Sequence, residues 1–215
     1  MIWFTSDLHI GHENILKFCN RPFNSLQEMH MGLIKNFNSV VRSEDTIYFL
    51  GDVAMGHQST LTWFLKSLNT TKLMCIKGNH DAGMTSLLNS GFNAVLYNAT
   101  IYVAKQRVTM SHCPLLGVKR ENTEGMRGAV SGENFHGEYK HQKYSMKNEG
   151  QLHLHGHCHS VPEKRMLGKM LDVGVDAWGY KPVSFNEIDR WVQKTTAKEQ
   201  KENESKRIIR SIEGS

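Results

Sequence analysis

Residues 151–160 read QLHLHGHCHS and place histidines at four alternating positions, His153, His155, His157 and His159. Side chains of an extended strand alternate between its two faces, so in a continuous strand all four rings would share one face. Imidazole is the commonest metal ligand among protein side chains. The segment therefore predicts a strand that leads into a metal site, whose other ligands must come from elsewhere in the chain.

Strand-length apolar runs at 1–5, 46–50 and 72–76 alternate with helical patterns at 25–37, 60–68 and 83–91. This alternation predicts a parallel sheet. Residues 94–112 read as three short strands with a turn centred on Asn98, which predicts a second, more antiparallel sheet. Further strands are predicted over 151–155 and 169–175, and a capping box at Ser184–Glu187 predicts the start of a terminal helix.

The length of 215 residues, with 39% hydrophobic residues and only four prolines, predicts one packed α/β domain. We place this domain at 1–193, with a basic, Gly-rich loop insertion at about 114–149 and a charged C-terminal tail at 194–215. The net charge is +5, and residues 105–147 hold eight Lys or Arg against four Asp or Glu. That excess fits either a solvated loop or attraction of an anionic substrate or nucleic acid.

The four cysteines form no C-x-x-C pair, and their spacing demands no disulfide framework. The N-terminal segment has no basic leader, and no run approaches the roughly 18–20 apolar residues of a membrane span. We therefore expect a cytoplasmic protein that does not enter the membrane.

Polar residues suited to metal binding follow five of the predicted strands. Because sites in open α/β sheets form beyond the carboxyl ends of the strands, these residues are expected to meet at one sheet edge. They are Asp7 and His9, Asp52, the run Asn79-His80-Asp81, His112, and the pair His157 and His159.

The order D-x-H, G-D, G-N-H-D, H and G-H-x-H between residues 6 and 159 resembles the calcineurin-like metallophosphoesterase superfamily. Within it, SDLHIGHENI with RPF at 21–23 is similar to a group of small bacterial and phage phosphoesterases. The resemblance implies an α/β fold in which a two-sheet β-sandwich is flanked by helices, in four αββα layers. It also implies two divalent metals at the sheet edges.

The resemblance assigns the first metal to Asp7, His9 and His159, the second to Asn79, His112 and His157, and a bridging role to Asp52. Imidazole and carboxylate ligands without cysteine suit Mn, which we favour, with Fe, Zn, Ni or Co as alternatives. A hydroxide between the two cations would attack phosphorus, and His80, oriented by Asp81, would protonate the leaving oxygen.

Other polar residues leave alternatives open. His12 would contact a substrate phosphate, or else cap or pack. Arg21 would fork onto a phosphate, or else form a surface salt bridge. Asp172 and Asp176 are expected in turns or behind the ligands. His155 is expected as a buried, hydrogen-bonded ring and His153 as a satisfied strand histidine, whereas His30, His57, His136 and His141 are assigned only to the surface or loops.

The leading hypothesis is a phosphoesterase acting on small, nucleotide-like phosphomonoesters or diesters, with specificity set by residues 114–149. A nuclease acting on DNA or RNA is the alternative in the same class, although the chain lacks an obvious strip of aromatic and basic residues. A catalytically inactive protein-binding scaffold is the non-enzyme alternative. Such a scaffold would be expected to lose ligands, whereas all the ligand positions and His80 are present here.

Overall fold

The computed structural model describes residues 1–116 and 143–213, so most of the expected insertion at 114–149, with His136 and His141, lies outside the described residues. The strands are β1 (Ile2–Thr5), β2 (Thr46–Phe49), β3 (Lys72–Ile76), β4 (Ala94–Leu96), β5 (Asn98–Val103), β6 (Gln106–Ser111), β7 (Leu152–His155), β8 (Met166–Leu167), β9 (Met170–Asp172) and β10 (Val183–Ser184). The helices are α1 (Ile15–Phe18), α2 (Leu26–Asn38), α3 (Gln58–Lys66), α4 (Met84–Ser90) and α5 (Phe185–Glu213).

The strands form two five-stranded mixed sheets, in the orders β10-β1-β2-β3-β4 and β5-β6-β7-β9-β8. In the first sheet β1 to β4 are parallel and β10 is antiparallel to β1. In the second sheet β6, β7 and β9 are parallel, and β5 and β8 are antiparallel to their neighbours. The predicted sandwich of two sheets flanked by helices is confirmed.

The alternation of side chains along the central strands builds a core on each face of the first sheet. Ile47 and Phe49 of β2 are fully buried in one cluster with apolar residues of α2, α3 and α4. Phe4 of β1 and Ile76 of β3 lie in a second cluster with Val108 and other residues of the second sheet. Burial on both faces explains why these strands read as continuous apolar runs.

Local capping signals set two helix starts as predicted. The Ser25 side chain accepts the backbone N–H of Glu28 at the start of α2. Before α5, Ser184 and Glu187 exchange two reciprocal hydrogen bonds between side chain and backbone, at 3.1 and 3.2 Å. The helix α5 then runs without interruption to Glu213, and among its side chains described through Ile209 the last buried one is Val192.

The prediction for residues 94–112 is correct in strand number and wrong in pairing. β4 pairs with β3 in the first sheet, with Ala94 opposite Met74, and only β5 and β6 form an antiparallel hairpin. The break falls at Tyr97, and Asn98 already belongs to β5. No helix in the described part of the chain is long and apolar enough to cross a membrane.

Candidate metal centre

The seven candidate ligands all lie in loops that follow strands, and five of them have a left-handed backbone. Their φ angles are 59° for Asp7, 54° for His9, 50° for Asp52, 67° for His157 and 45° for His159. A non-glycine residue in this region costs of order 1–3 kcal/mol and persists only where its surroundings enforce it. Such strain concentrates at functional sites. The backbone angles therefore identify this sheet edge as a candidate functional site without reference to the metal-binding side chains.

Glycines allow the loops to approach one another closely. A Cβ on Gly51 would lie 2.5 Å from Nδ1 of His112, and a Cβ on Gly156 would collide with the side chains of Ser6 and Asp7. A side chain at residue 156 would therefore occupy the space that the Asp7 carboxylate needs.

The three residues predicted for the first metal lie together. The Nε2 atoms of His9 and His159 are 3.2 Å apart, and Nε2 of His159 is 4.0 Å from Oδ1 of Asp7. One ligand atom from each residue lies within 4.8 Å of the others. Asp7 also accepts the backbone N–H of His157, which connects the first loop to the last.

The residues predicted for the second metal also lie near one another and near Asp52. Nε2 of His112 is 2.9 Å from Oδ1 of Asn79, and the rings of His112 and His157 are 5.2 Å apart between centroids. Oδ2 of Asp52 lies 3.3 Å from Nε2 of His112 and 3.8 Å from Nε2 of His9. Asp52 is therefore placed between the two ligand groups.

The donor set fits a pair of cations. Nδ1 of His112 lies 2.7 Å from the carbonyl oxygen of Leu50, which can only accept, so Nδ1 carries a proton. In the neutral ring Nε2 then presents a lone pair to the oxygens of Asn79 and Asp52. Acceptors that face one another in a buried site need a positive charge between them, which a divalent metal would supply.

The pKa values of the buried ligands agree with this need for a positive charge. Burial raises the pKa of Asp7 to about 7, and burial lowers the pKa of His9 well below its ordinary value, which favours the neutral ring that binds metal. Although burial works against it, the charge of Asp52 raises the pKa of His112 to about 9. Without a metal, a proton on His112 therefore provides the compensating charge.

The candidate site residues differ in burial, and this difference distinguishes a buried floor of the site from an exposed mouth. Asp7, His9, Asp52, His112 and His159 are buried, and they form the floor of the site. Asn79 and His157 are partly exposed and His80 is exposed, so these residues face solvent at the mouth. The His80 ring lies 5.7 Å from the His9 ring, and its backbone N–H donates to Oδ1 of Asp52 at 2.9 Å.

The partners of Asp81 differ from the expectation that it orients His80. Its buried carboxylate accepts the backbone N–H groups of Asp52 at 2.9 Å, Val53 at 2.7 Å and Gly78 at 2.8 Å. No hydrogen bond of Asp81 in the described residues reaches the His80 ring. Asp81 therefore fastens the loop after β3 to the loop after β2.

The structure does not support the phosphate contact predicted for Arg21. Its side chain is fully buried, and its guanidinium donates to Asp176, to the carbonyl oxygens of Asp7 and Leu8, and to the sulfur of Met29. These acceptors use all five N–H groups, so none is left for a substrate. The salt bridge that was the alternative is present, but it is buried.

His12 lies beside the candidate ligand His9. Its ring is partly exposed and stands 5.6 Å from the His9 ring and 6.1 Å from the ring of Phe18. Phe18 is 66% exposed, although it is a large apolar residue. Sequence reasoning missed Phe18, because only its exposure beside the site distinguishes it from a core residue.

The other histidines of the opening segment behave as predicted. His153 is fully buried and bonded to the hydroxyls of Thr109 and Ser111, and buried His155 is bonded through Nδ1 to the carbonyl oxygen of Gly156. The strand ends at His155, so His157 and His159 do not continue its alternation. Asp172 and Asp176 lie behind the ligand loops, where Asp176 accepts from Nδ1 of His159.

Two neighbours of the site were not predicted. His30, assigned to the surface, is buried and accepts the N–H of Gly11, which follows from its place on the buried face of α2. Sγ of Cys113 lies within 4.8 Å of ligand nitrogens of His112 and His157. Burial raises the pKa of the Cys113 thiol well above its ordinary value, so the thiol stays protonated.

Sequence comparison decides the family. The family model described as calcineurin-like phosphoesterase matches residues 1–161. The chain belongs to this family. As a calcineurin-like phosphoesterase with ligand groups gathered at one sheet edge, it is a metal-dependent phosphoric ester hydrolase.

Similar proteins share most of this chain's length. An uncharacterized protein of Methanocaldococcus jannaschii is 29% identical over 199 residues, which cover 90% of this chain and 92% of that protein. The Gene 66 protein of Mycobacterium phage L5 is 29% identical over 193 residues, covering 86% and 91%. A protein of unknown function from Aquifex aeolicus has a similar fold, with a TM-score of 0.64, 23% identity and coverage of 89% of this chain and 98% of that chain.

Proposed function

We propose that this calcineurin-like phosphoesterase hydrolyses phosphate esters of small, nucleotide-like substrates at a two-metal site, with His80 as the general acid. Asp7, His9 and His159 would hold one cation, Asn79, His112 and His157 would hold the other, and Asp52 would contact both. We favour Mn²⁺ because the ligands are imidazoles, carboxylates and an amide oxygen. Two such ions, when bound, supply positive charge for the phosphoryl oxygens and lower the pKa of a water nucleophile.

The observation that carries the proposal is the position of His80. Its backbone is tied to Asp52 while its ring lies at the exposed mouth beside His9. A substrate whose phosphoryl group faces the ligand floor would direct its leaving oxygen toward this mouth. A neutral leaving alcohol requires a proton there, and imidazole is the side chain best suited to deliver one near neutral pH.

Phe18 and His12 support the choice of a nucleotide-like leaving group that carries an aromatic base. The ring of Phe18 meets the ring of His12 at an interplanar angle of 66°, and His12 in turn lies beside His9 at the floor. An exposed phenyl ring 6.1 Å from the His12 ring offers a face on which a base can stack. His12 would lie between that base and the phosphate.

The test is a screen of metal-free protein reconstituted with Mn²⁺, using phosphomonoesters, cyclic nucleotides, dinucleotides and single-stranded oligonucleotides. We expect the highest kcat/KM on a nucleotide monoester or cyclic diester, and no turnover after chelation. Preference for oligonucleotides would favour a nuclease instead. Activity that survives complete removal of metal would contradict the proposed site.

A further inference from the structure

Arg21 and Asp176 form a buried ion pair directly behind the first ligand group. Nε and Nη2 of Arg21 donate to the two carboxylate oxygens of Asp176 at 2.9 and 2.8 Å. The Arg21 side chain has no exposed surface, and the Asp176 side chain is 9% exposed. Breaking a buried pair of this kind leaves an uncompensated charge, so both partners are held firmly in place.

The acidic partner controls one ligand directly. Oδ2 of Asp176 lies 2.8 Å from Nδ1 of His159. A carboxylate can only accept, so the proton of the neutral ring sits on Nδ1 and the lone pair of Nε2 points toward His9. Asp176 thus fixes both the orientation of the His159 ring and the tautomer that binds metal.

The basic partner controls the other two ligands through the backbone. Nη2 of Arg21 donates to the carbonyl oxygen of Asp7 at 2.6 Å, and Nη1 donates to that of Leu8 at 2.9 Å. These carbonyls belong to the turn in which Asp7 and His9 have left-handed φ angles. The guanidinium therefore stabilises the strained backbone that presents both residues.

The second ligand group has separate supports. His112 is held through Nδ1 by the carbonyl oxygen of Leu50, and its Nε2 faces the Asn79 side chain. Among the described residues, no hydrogen bond of Arg21 or Asp176 reaches Asn79 or His112. The direct hydrogen bonds of the pair therefore go to the first ligand group, and the loop of His157 is reached only through Asp7.

We propose that Arg21 and Asp176 are positioning residues that set the affinity of the first cation position and leave the second nearly unchanged. This rests on the proposed two-metal function. When the pair is disrupted, the two positions become unequal, and the protein holds a single cation over a range of metal concentrations. Loss of a partner that orients a metal ligand typically costs about 10–100-fold in metal affinity.

The main test variant is Asp176→Asn, which keeps the volume of the side chain. An amide that turns its N–H₂ group toward His159 would move the ring proton to Nε2, where it blocks a metal. The second variant, Arg21→Lys, keeps the charge but loses the fork that reaches Asp176 and both carbonyls at once. Because lysine can still neutralise Asp176, we expect a smaller loss of affinity in this variant. Lys169→Met is the matched control, since it breaks the surface ion pair of Lys169 with Glu199.

The measurement is Mn²⁺ bound per chain, by equilibrium dialysis and elemental analysis over a concentration series. Electron paramagnetic resonance reports whether the bound ions are coupled as a pair. We expect the wild-type chain and Lys169→Met to bind two coupled ions. Asp176→Asn should bind one uncoupled ion at the same concentrations and regain the second at about 10–100-fold more Mn²⁺.

A second substitution identifies the position that is lost. Asn79→Ala should weaken the second position, so the double variant with Asp176→Asn should lose both ions at a concentration where each single variant keeps one. Equal weakening of both positions in Asp176→Asn, or two ions bound with wild-type affinity, would overturn the inference. A wild-type chain that never binds a second ion would remove both the inference and the two-metal function, and this outcome is recognised without any variant.

Discussion

Oδ1 of Asp52 accepts the backbone N–H of His80 at 2.9 Å, so one carboxylate connects the centre of the ligand set to the residue at its exposed mouth. The other oxygen, Oδ2, faces the two ligand groups. The carboxylate that faces both ligand groups therefore also holds the backbone of His80, the proposed proton donor. Substitutions of Asp52 or His80 can be chosen that keep the hydrogen bond between them.

Asp52→Asn should remove most bound metal and nearly all turnover, because the amide can still accept from His80 but no longer carries the negative charge between the cations. We expect metal affinity to fall by at least about 100-fold, since loss of even an indirect partner costs about 10–100-fold. Elemental analysis and hydrolysis rates measure both effects, with Asp189→Asn on α5 as the control. Two ions per chain at wild-type affinity would contradict the bridging role.

His80→Ala should retain both cations, because the backbone N–H that binds Asp52 is unchanged. Turnover should fall by about 10²–10⁴-fold for substrates with poor leaving groups and far less for aryl phosphates with good ones. The measurement is kcat across a leaving-group series, with exposed His57→Ala as the control. Equal slowing across the series would show that His80 does not protonate the leaving oxygen.

Asp81→Asn separates the two roles considered for this residue. The substitution places an amide N–H₂ against backbone N–H groups that now donate to a carboxylate, so stability should fall by about 1–3 kcal/mol. The dependence of kcat on the leaving group should match the wild type, because the hydrogen bonds of the Asp81 carboxylate in the described residues go to backbone N–H groups. Urea unfolding and the same leaving-group series are the measurements. A dependence that resembles His80→Ala would restore an orienting role.

Much of the fold could be predicted because its signals are local. The runs that became β1, β2 and β3 are apolar on both faces, and the serines before α2 and α5 mark helix starts within one residue. The pairing of β4 could not be predicted in this way. Three residues, Ala94–Leu96, carry no local signal that distinguishes the edge of one sheet from the edge of the other.

Some features of the candidate site could likewise be predicted from the sequence, and others could not. Ligand residues that directly follow strands could be predicted to meet, since parallel strands bring their carboxyl ends to one edge. The binding partner of Arg21 could not be predicted, because an arginine that binds phosphate and one that binds a buried carboxylate look alike in sequence. Its partner Asp176 is 155 positions away, and only the packed structure brings the two together.

Phe18→Ala tests the proposal that the leaving group carries a nucleobase. Phe18 is 66% exposed, so its loss should affect stability little, while loss of base stacking, worth about 1–3 kcal/mol, should lower kcat/KM for nucleotides by about 5–150-fold. Glycerol phosphate, which has no ring, should be hydrolysed as by the wild type. Tyr102→Ala, at an exposed aromatic residue on β5, is the control. If both substrates slow equally, Phe18 acts on the shape of the site and not on the leaving group.

His153 should make stability depend on pH below neutrality. Burial and, to a smaller extent, the neighbouring His155 lower the pKa of His153 to about 3. In the unfolded chain this ring takes up a proton near its ordinary pKa of 6.5. The unfolded state therefore binds more protons between these values, and stability must rise with pH across that interval. From pH 6.5 down to pH 5 the loss attributable to this ring is about 2 kcal/mol.

His153→Gln should be less stable than the wild type at pH 7, because Thr109 and Ser111 lose their shared ring partner. Its free energy of unfolding should nevertheless change less between pH 7 and pH 5, by about the same 2 kcal/mol. Urea unfolding at both pH values measures this difference, and His57→Gln, at an exposed position, should keep the wild-type dependence. If the curves for His153→Gln and the wild type run parallel, the buried ring is not what couples stability to pH, and the charge must be taken up elsewhere.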